Sequence, residues 1–268
     1  MAAADYRCHP TDLPAPPVAV RHISLTFDIT ETETHVIAKT TFRTLTDPLT
    51  SLRLNAKNLE IRKVWLNGET VRYLYEGDIL EISLTRPLHR GTSITLWTET
   101  VCRPTANIFE GLYYDATPDG LPKTQITQCQ QWGFQRIAPC IDDMRAKSTW
   151  TTTIIADSRY TSIISNGNIK SPRTHCDKTR DTITYQNDRP MPPYLFFLGV
   201  GNWRTFTRTL EYPDDKKIRL ELLAPKDADP QAALDILADS ILWTCLFTDP
   251  VSPATPPSPS GSTKQSPS

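Results

Sequence analysis

The chain has 268 residues, enough to bury a substantial core as one large domain or two modest ones. Lys and Arg number 29 against 30 Asp and Glu, a formal charge of −1 that lacks the basic footprint of nucleic-acid or membrane-surface binding. No run approaches the ~18 apolar residues of a membrane span, and MAAADYRCHPTDLPAPP is not a secretory signal, so the six cysteines are expected to stay reduced in the cytoplasm.

Residues 1–17 hold four prolines and few large apolar groups, and read as an arm laid over the surface. From Val18 the pattern turns to period two. In Ile23–Ile29 the apolar side chains alternate with polar ones, the mark of a half-buried strand. Similar runs follow at Val36–Thr44, Leu59–Leu66, Thr70–Tyr75, Ile79–Leu84 and Ser93–Val101. Asn67-Gly68 supplies two residues suited to the positive φ angles of a type I′ turn, and Glu76-Gly77-Asp78 reverses the chain again, which predicts a meander. Later strands are expected at Ser148–Ala156, Ile163-Ile164, Thr182–Tyr185, Tyr194–Val200 and Lys217–Ala224, with turns at Ser165–Asn168 and Gly199–Asn202. The fold class is mainly β: antiparallel, most simply two packed sheets. From Asp229 to Leu246 the apolar spacing becomes helical, with Asp227 or Asp229 as cap and Pro230 in the first turn. The tail, VSPATPPSPSGSTKQSPS, is expected to be disordered.

The usual catalytic patterns are missing. None of the five histidines is followed by Glu and no two lie four apart, so there is no His-Glu-x-x-His zinc helix. Cys8-His9 and His175-Cys176 could meet as four ligands, but adjacent side chains on extended backbone diverge, and unrelated surface positions are the plainer reading. Cys129 and Cys140 have ten residues between them, too many for a redox dithiol, and read as buried thiols. No Gly-x-Ser-x-Gly elbow occurs, and the dispersed carboxylates read as solvated charges.

One stretch stands out, ITQCQQWGFQRIAPCIDD at 126–143. Strand alternation would put Gln128 and Gln130 on one face and Cys129 on the other. Two neighbouring amides offer donors and acceptors to a ligand's backbone or ammonium, although an ordinary strand surface is the competing reading.

Five segments in order carry a resemblance. Phe109-Glu110-Gly111-Leu112-Tyr113, Thr127-Gln128-Cys129-Gln130, Gly133-Phe134-Gln135-Arg136-Ile137, Ser165-Asn166-Gly167-Asn168 and Pro190–Phe196 resemble the N-terminal domain of the gluzincin aminopeptidases, peptidase family M1. The resemblance spans about residues 18–249. It implies a saddle-like β domain over 18–208, then over 209–249 the first strand and helix of a truncated thermolysin-like catalytic domain, then the tail at 250–268. It also implies that Gln128 lines the first substrate subsite and that Gln130 stands where most relatives carry a glutamate gripping the substrate's α-ammonium. The leukotriene-hydrolase branch likewise has Gln there, with a Pro-Cys like Pro139-Cys140, while Asp143-Met144 replaces an Arg-Pro common in the family.

These expectations define a function. The chain resembles a substrate-binding wall for peptide N-termini without the zinc that full-length members use, so it is not expected to hydrolyse peptides alone. Its rivals are a catalytically dead interaction scaffold, or one half of a split enzyme whose second polypeptide supplies the zinc domain. The helix over 229–246, deprived of its catalytic domain, is expected to fold back or to drive self-association.

Overall fold

The computed structural model describes residues 15–212 and 216–248. Most of the N-terminal arm, with Cys8 and His9, and the tail expected at 250–268 lie outside the described residues. The chain divides into two compact units between Asn202 and Trp203.

The first unit is built of strands. In chain order they are β1 (Val18–Ile29), β2 (Thr34–Thr44), β3 (Leu49–Asn55), β4 (Glu60–Leu66), β5 (Glu69–Thr70), β6 (Tyr73–Glu76), β7 (Ile79–Leu88), β8 (Ser93–Cys102), β9 (Gly111–Tyr114), β10 (Gln125–Gln128), β11 (Ser148–Asp157), β12 (Ser162–Ser165), β13 (Asn168–His175), β14 (Arg180–Met191) and β15 (Leu198–Gly201). They form three sheets rather than two. An eight-stranded sheet runs β13-β14-β11-β1-β2-β8-β4-β5, a four-stranded sheet runs β12-β15-β10-β9, and a three-stranded sheet runs β3-β7-β6. Alternation places Leu25, Phe27, Val36, Phe42, Ile94 and Leu96 inside, each 1% exposed, and leaves a polar outer face.

Several expectations change in detail. The sheet is not wholly antiparallel, because β1 and β11 run parallel from His22↔Thr149 to Asp28↔Ile155. The run Thr70–Tyr75 is broken between β5 and β6, which belong to different sheets, so the two turns do not make one meander. Both turns do have their positive φ angles, at Asn67 and Gly68 and at Gly77 and Asp78. Tyr194 lies in a 3₁₀ turn, Pro193–Leu195, and the strand begins only at Leu198. Gly199–Gly201 is not a turn but part of β15, buried between β12 and β10, where a Cβ on Gly199 would meet the Phe197 ring at 3.2 Å.

The second unit holds β16 (Arg204–Tyr212), β17 (Lys216–Ala224) and α1 (Gln231–Thr248). The expected boundary residue, Arg208, lies inside β16 opposite Leu220 and ion-pairs with Asp235 of α1. Asp229 Oδ1 accepts the Gln231 N–H at 3.1 Å, which caps the helix as its sequence predicts. The helix stripe is not left bare: Leu234 and Ala238 are buried with Leu210 and Leu220, and Ile241 and Leu242 pack against them. Ile236 and Trp243 are 67% and 62% exposed. Among the described residues no helix is long and apolar enough to cross a membrane.

Candidate functional site

Strand β10 ends at Gln128, and the next residues form a tight loop between two buried anchors. Cys129 is 1% exposed, and its carbonyl accepts the Gly133 N–H at 2.9 Å. Phe134, also 1% exposed, packs edge-on against Trp150 and Phe196 at 5.2 Å each. With both ends pinned, Gln130, Gln131 and Trp132 must face outward, and all three are exposed.

Two glycines let the loop close. Gly111 has φ +71, and a Cβ there would meet Arg136 Cβ at 2.7 Å. A Cβ on Gly133 would lie 2.2 Å from the Gln128 carbonyl and 2.9 Å from Gly111 N. Beside them Arg136 Nε donates to Glu110 Oε2 at 2.6 Å, with Lys57 Nζ at 3.9 Å from the same oxygen. Thus two of the sequence segments, Phe109–Tyr113 and Gly133–Ile137, brace each other.

The far side of the loop is tied to the end of β3. Asn55 and Cys140 exchange backbone hydrogen bonds of 2.8 and 3.0 Å, and Lys57 N donates to the Gln135 carbonyl at 2.8 Å. Asn55 Oδ1 accepts from Asp142 N at 3.2 Å. Two more segments meet at Asn166, whose Nδ2 donates to the Leu195 carbonyl at 3.2 Å and whose Oδ1 accepts from Phe197 N at 2.6 Å. This fixes the 3₁₀ turn carrying Tyr194. Between the loop and that turn lies an open recess of about 410 Å³, lined by Gln130, Gln131, Trp132, Asp142, Asp143, Met144 and Tyr194.

The two carboxylates in the recess differ sharply. Arg145 Nε and Nη2 reach Asp143 at 2.9 and 2.6 Å, which holds that carboxyl below its usual range. Asp142 is only 8% exposed and its Oδ2 has no hydrogen-bond partner. Burial pushes its pKa up to about 6; the Gln135 backbone N–H opposes the shift and the Asp143 charge adds to it. Asp142 is therefore not the solvated charge its composition implied.

Gln128 and Gln130 do not form the expected pair on one strand face. Gln130 lies past the strand end, and its backbone N–H donates to Gln128 Oε1 at 3.2 Å. Gln130 lines the recess, whereas Gln128 sits outside its lining and orders the turn. Sequence reasoning missed Asp142, Trp132 and Tyr194, although the acidic pair and the Trp in 126–143 were visible. Cys129 and Cys140 are buried, as expected, and burial raises both thiol pKa values.

The described residues do not fit a zinc ion. Among them no group of three or more His, Cys, Asp or Glu could hold a metal. His175 is instead turned to Asp181, with Nδ1 at 2.5 Å from Oδ1.

Comparison with known proteins gives a consistent picture. Residues 19–195 match the family described as the peptidase M1 N-terminal domain. The chain is 29% identical over 238 residues to aminopeptidase N of Escherichia coli, covering 87% of this chain and 26% of that protein. To leukotriene A-4 hydrolase of Xenopus laevis it is 27% identical over 190 residues, 68% of this chain and 31% of that one. The chain thus spans about a quarter to a third of the length of these curated relatives. Among solved structures, aminopeptidase A of Legionella pneumophila in complex with aspartic acid superposes with a TM-score of 0.77 at 20% identity, over 88% of this chain and 27% of that one. A mutant M1 zinc metallopeptidase of Deinococcus radiodurans, bound to a Tyr-Ser-Ala substrate, gives 0.68 at 19% identity, over 80% and 49%. At these identities the superpositions establish the fold.

Proposed function

The chain belongs to the peptidase M1 family, whose N-terminal domain it carries, and from that premise we propose that its β unit recognises the amino-terminal end of a peptide at the recess beside Gln130. The observation that carries the reading is the recess itself, where an exposed amide, a buried carboxylate and two aromatic side chains converge. The printed description of one structural relative, bound to the tripeptide Tyr-Ser-Ala, supports a peptide as ligand. In this reading Gln130 contacts the terminus and Gln128 holds the Gln130 turn in place. The first unit, up to Asn202, serves as the substrate-binding domain, and β17 and α1 in the second as the opening strand and helix of a catalytic domain.

Cleavage lies outside what this reading assigns to the chain. The 268 residues contain no His-Glu-x-x-His, so bond breaking would require a zinc-bearing portion that they do not include. A cytoplasmic setting belongs to the same reading, supported by the free thiols of Cys102, Cys129, Cys140 and Cys176. The test is equilibrium binding of a free-amine tripeptide against its N-acetylated form. Preference for the free amine without product formation supports the reading. Equal binding of the two forms, or binding of neither, refutes it.

The exposure of Ile236, Leu237 and Trp243 on α1 favours a second role in association, with another copy or with a separate catalytic polypeptide. Leukotriene A-4 hydrolase and aminopeptidase N are accompanied among the relatives by a Thermoplasma acidophilum protein, 26% identical over 202 residues, whose name is tricorn protease-interacting factor F2. That name lends the association reading support.

A further inference from the structure

The chain changes sheets between Thr70 and Tyr73, and a groove opens where it does. Glu69-Thr70 is β5, at the edge of the eight-stranded sheet, and Val71 N still reaches the Val64 carbonyl at 3.4 Å. Tyr73 already lies opposite Ile82 of β7, so the crossing falls at Arg72. It leaves part of β7 uncovered. β6 pairs only with Ile79–Ile82, while β7 runs on to Leu88. On the other side the register with β3 jumps from Ser51↔Ser83 to Leu49↔Leu88. Among the described residues, then, no strand is in register with Leu84–Pro87 on either side, and Ser83 is open on the β6 side. Extended backbone of this kind is a template for another strand. Pro87 lacks an N–H and closes the template at its far end.

The groove along this edge has a volume of about 780 Å³, within the range of ligand sites. Leu66, Val71, Leu84 and Leu88 line it and pack against the core, which gives it an apolar floor. Arg72 and Arg86 line it as well, both exposed and neither in an ion pair among the described residues. Glu69 is the one acid in the lining, so the groove carries a net positive charge. We propose that it takes an extended acidic peptide segment of a partner protein, added as a short strand along Ser83–Arg86 with its carboxylates against Arg72 and Arg86. Backbone hydrogen bonds to the open edge hold the segment, the floor receives its alternate side chains, and the arginines select acids over bases. The groove shares no lining residue with the recess beside Gln130, and the inference stands apart from what that recess binds.

The test is nitrogen-15 NMR of the full 268-residue chain titrated with three peptides. They are Ac-Thr-Glu-Val-Glu-Val-amide, its lysine counterpart Ac-Thr-Lys-Val-Lys-Val-amide, and a copy of the first methylated at every backbone nitrogen. The acidic peptide is expected to shift the backbone amides of Ser83, Thr85 and Arg86 and to slow their exchange with solvent, the mark of a strand added there. The lysine and methylated peptides bind more weakly. Combining Arg72→Glu with Arg86→Glu, both at exposed side chains, weakens the acidic peptide by about 10-fold or more, the scale of two surface ion pairs lost and reversed. Comparison of the three peptides on the unaltered chain tests the same points without any substitution. Binding of the lysine peptide as tightly as the acidic one overturns the proposal, and so does equal binding of the methylated peptide. Absence of binding overturns it as well, as do shifts confined to Gln130 and Trp132.

Discussion

Gly111 and Gly133 stand back to back, so close that a Cβ on Gly133 would lie 2.9 Å from the Gly111 nitrogen. That contact sets the loop on which Gln130 and Trp132 are displayed. Gly133 itself has φ −75, which any residue adopts, so alanine there is penalised by contact alone. Gly133→Ala is expected to cost roughly 1–3 kcal/mol or more through forced backbone movement. Chemical denaturation measures it, and an unchanged midpoint would show that the loop yields freely.

The anchor beneath the loop is hydrophobic. Phe134→Ala removes a ring enclosed by Trp150 and Phe196 and should cost about 3–5 kcal/mol. The same variant should loosen Trp132, seen as faster quenching of its fluorescence once the other tryptophans are replaced.

Asp142 makes a pH-dependent contribution of definite sign. Its folded pKa, raised to about 6 by burial, exceeds the ordinary carboxylate value of 3.8, so the folded state favours the protonated acid. The stability this gives is fully present below the unfolded pKa and is lost as pH rises through about 6. Asp142→Asn keeps a neutral group at every pH. Its melting temperature minus that of the unaltered chain should therefore increase between mildly acidic and neutral pH. A difference that stays flat across that range contradicts a raised pKa.

The thiols offer an independent check on the core. Burial pushes the Cys102 thiol up to about 12 and also raises Cys129 and Cys140, whereas Cys176 is exposed. Brief alkylation of the native chain, followed by peptide mass mapping, should modify Cys176 and spare the other three. Labelling of Cys129 and Cys140 as fast as Cys176 would mean that the loop after β10 opens readily.

How far the sequence disclosed this fold depended on where local pattern decided the outcome. β1, β2, β8 and β11 were legible because one face of each is buried, so apolar residues recur at every second position. α1 was legible through its apolar spacing and Asp229 cap. Strands β9 and β10 were not, since four residues each give little periodicity, and β15 was caught only at Leu198–Val200, within an expected run that began four residues too early, because both faces of LGVG are buried. The parallel pairing of β1 with β11 joins segments more than 120 residues apart and leaves no local trace. The stretch 126–143 drew attention to the loop after β10, where Gln130 lines the recess. Alternation then misled, because β10 stops at Gln128 and the turn, rather than the strand, sets the direction of Gln130. The setting of Asp142 includes the side chain of Asn55, 87 residues away, which accepts its backbone N–H and which no reading of the pair Asp142-Asp143 supplies.

The central claim is that the recess beside Gln130 binds a peptide's free amino terminus and that this chain does not cleave it. The most direct measurement is nitrogen-15 NMR of the labelled chain titrated with Leu-Gly-Gly. The account predicts shifts of the Gln130 and Gln131 side-chain amides, the Trp132 indole N–H and the Asp142 backbone N–H, with the peptide intact throughout. Shifts confined to residues away from the recess would contradict it, as would chelator-sensitive hydrolysis of the peptide.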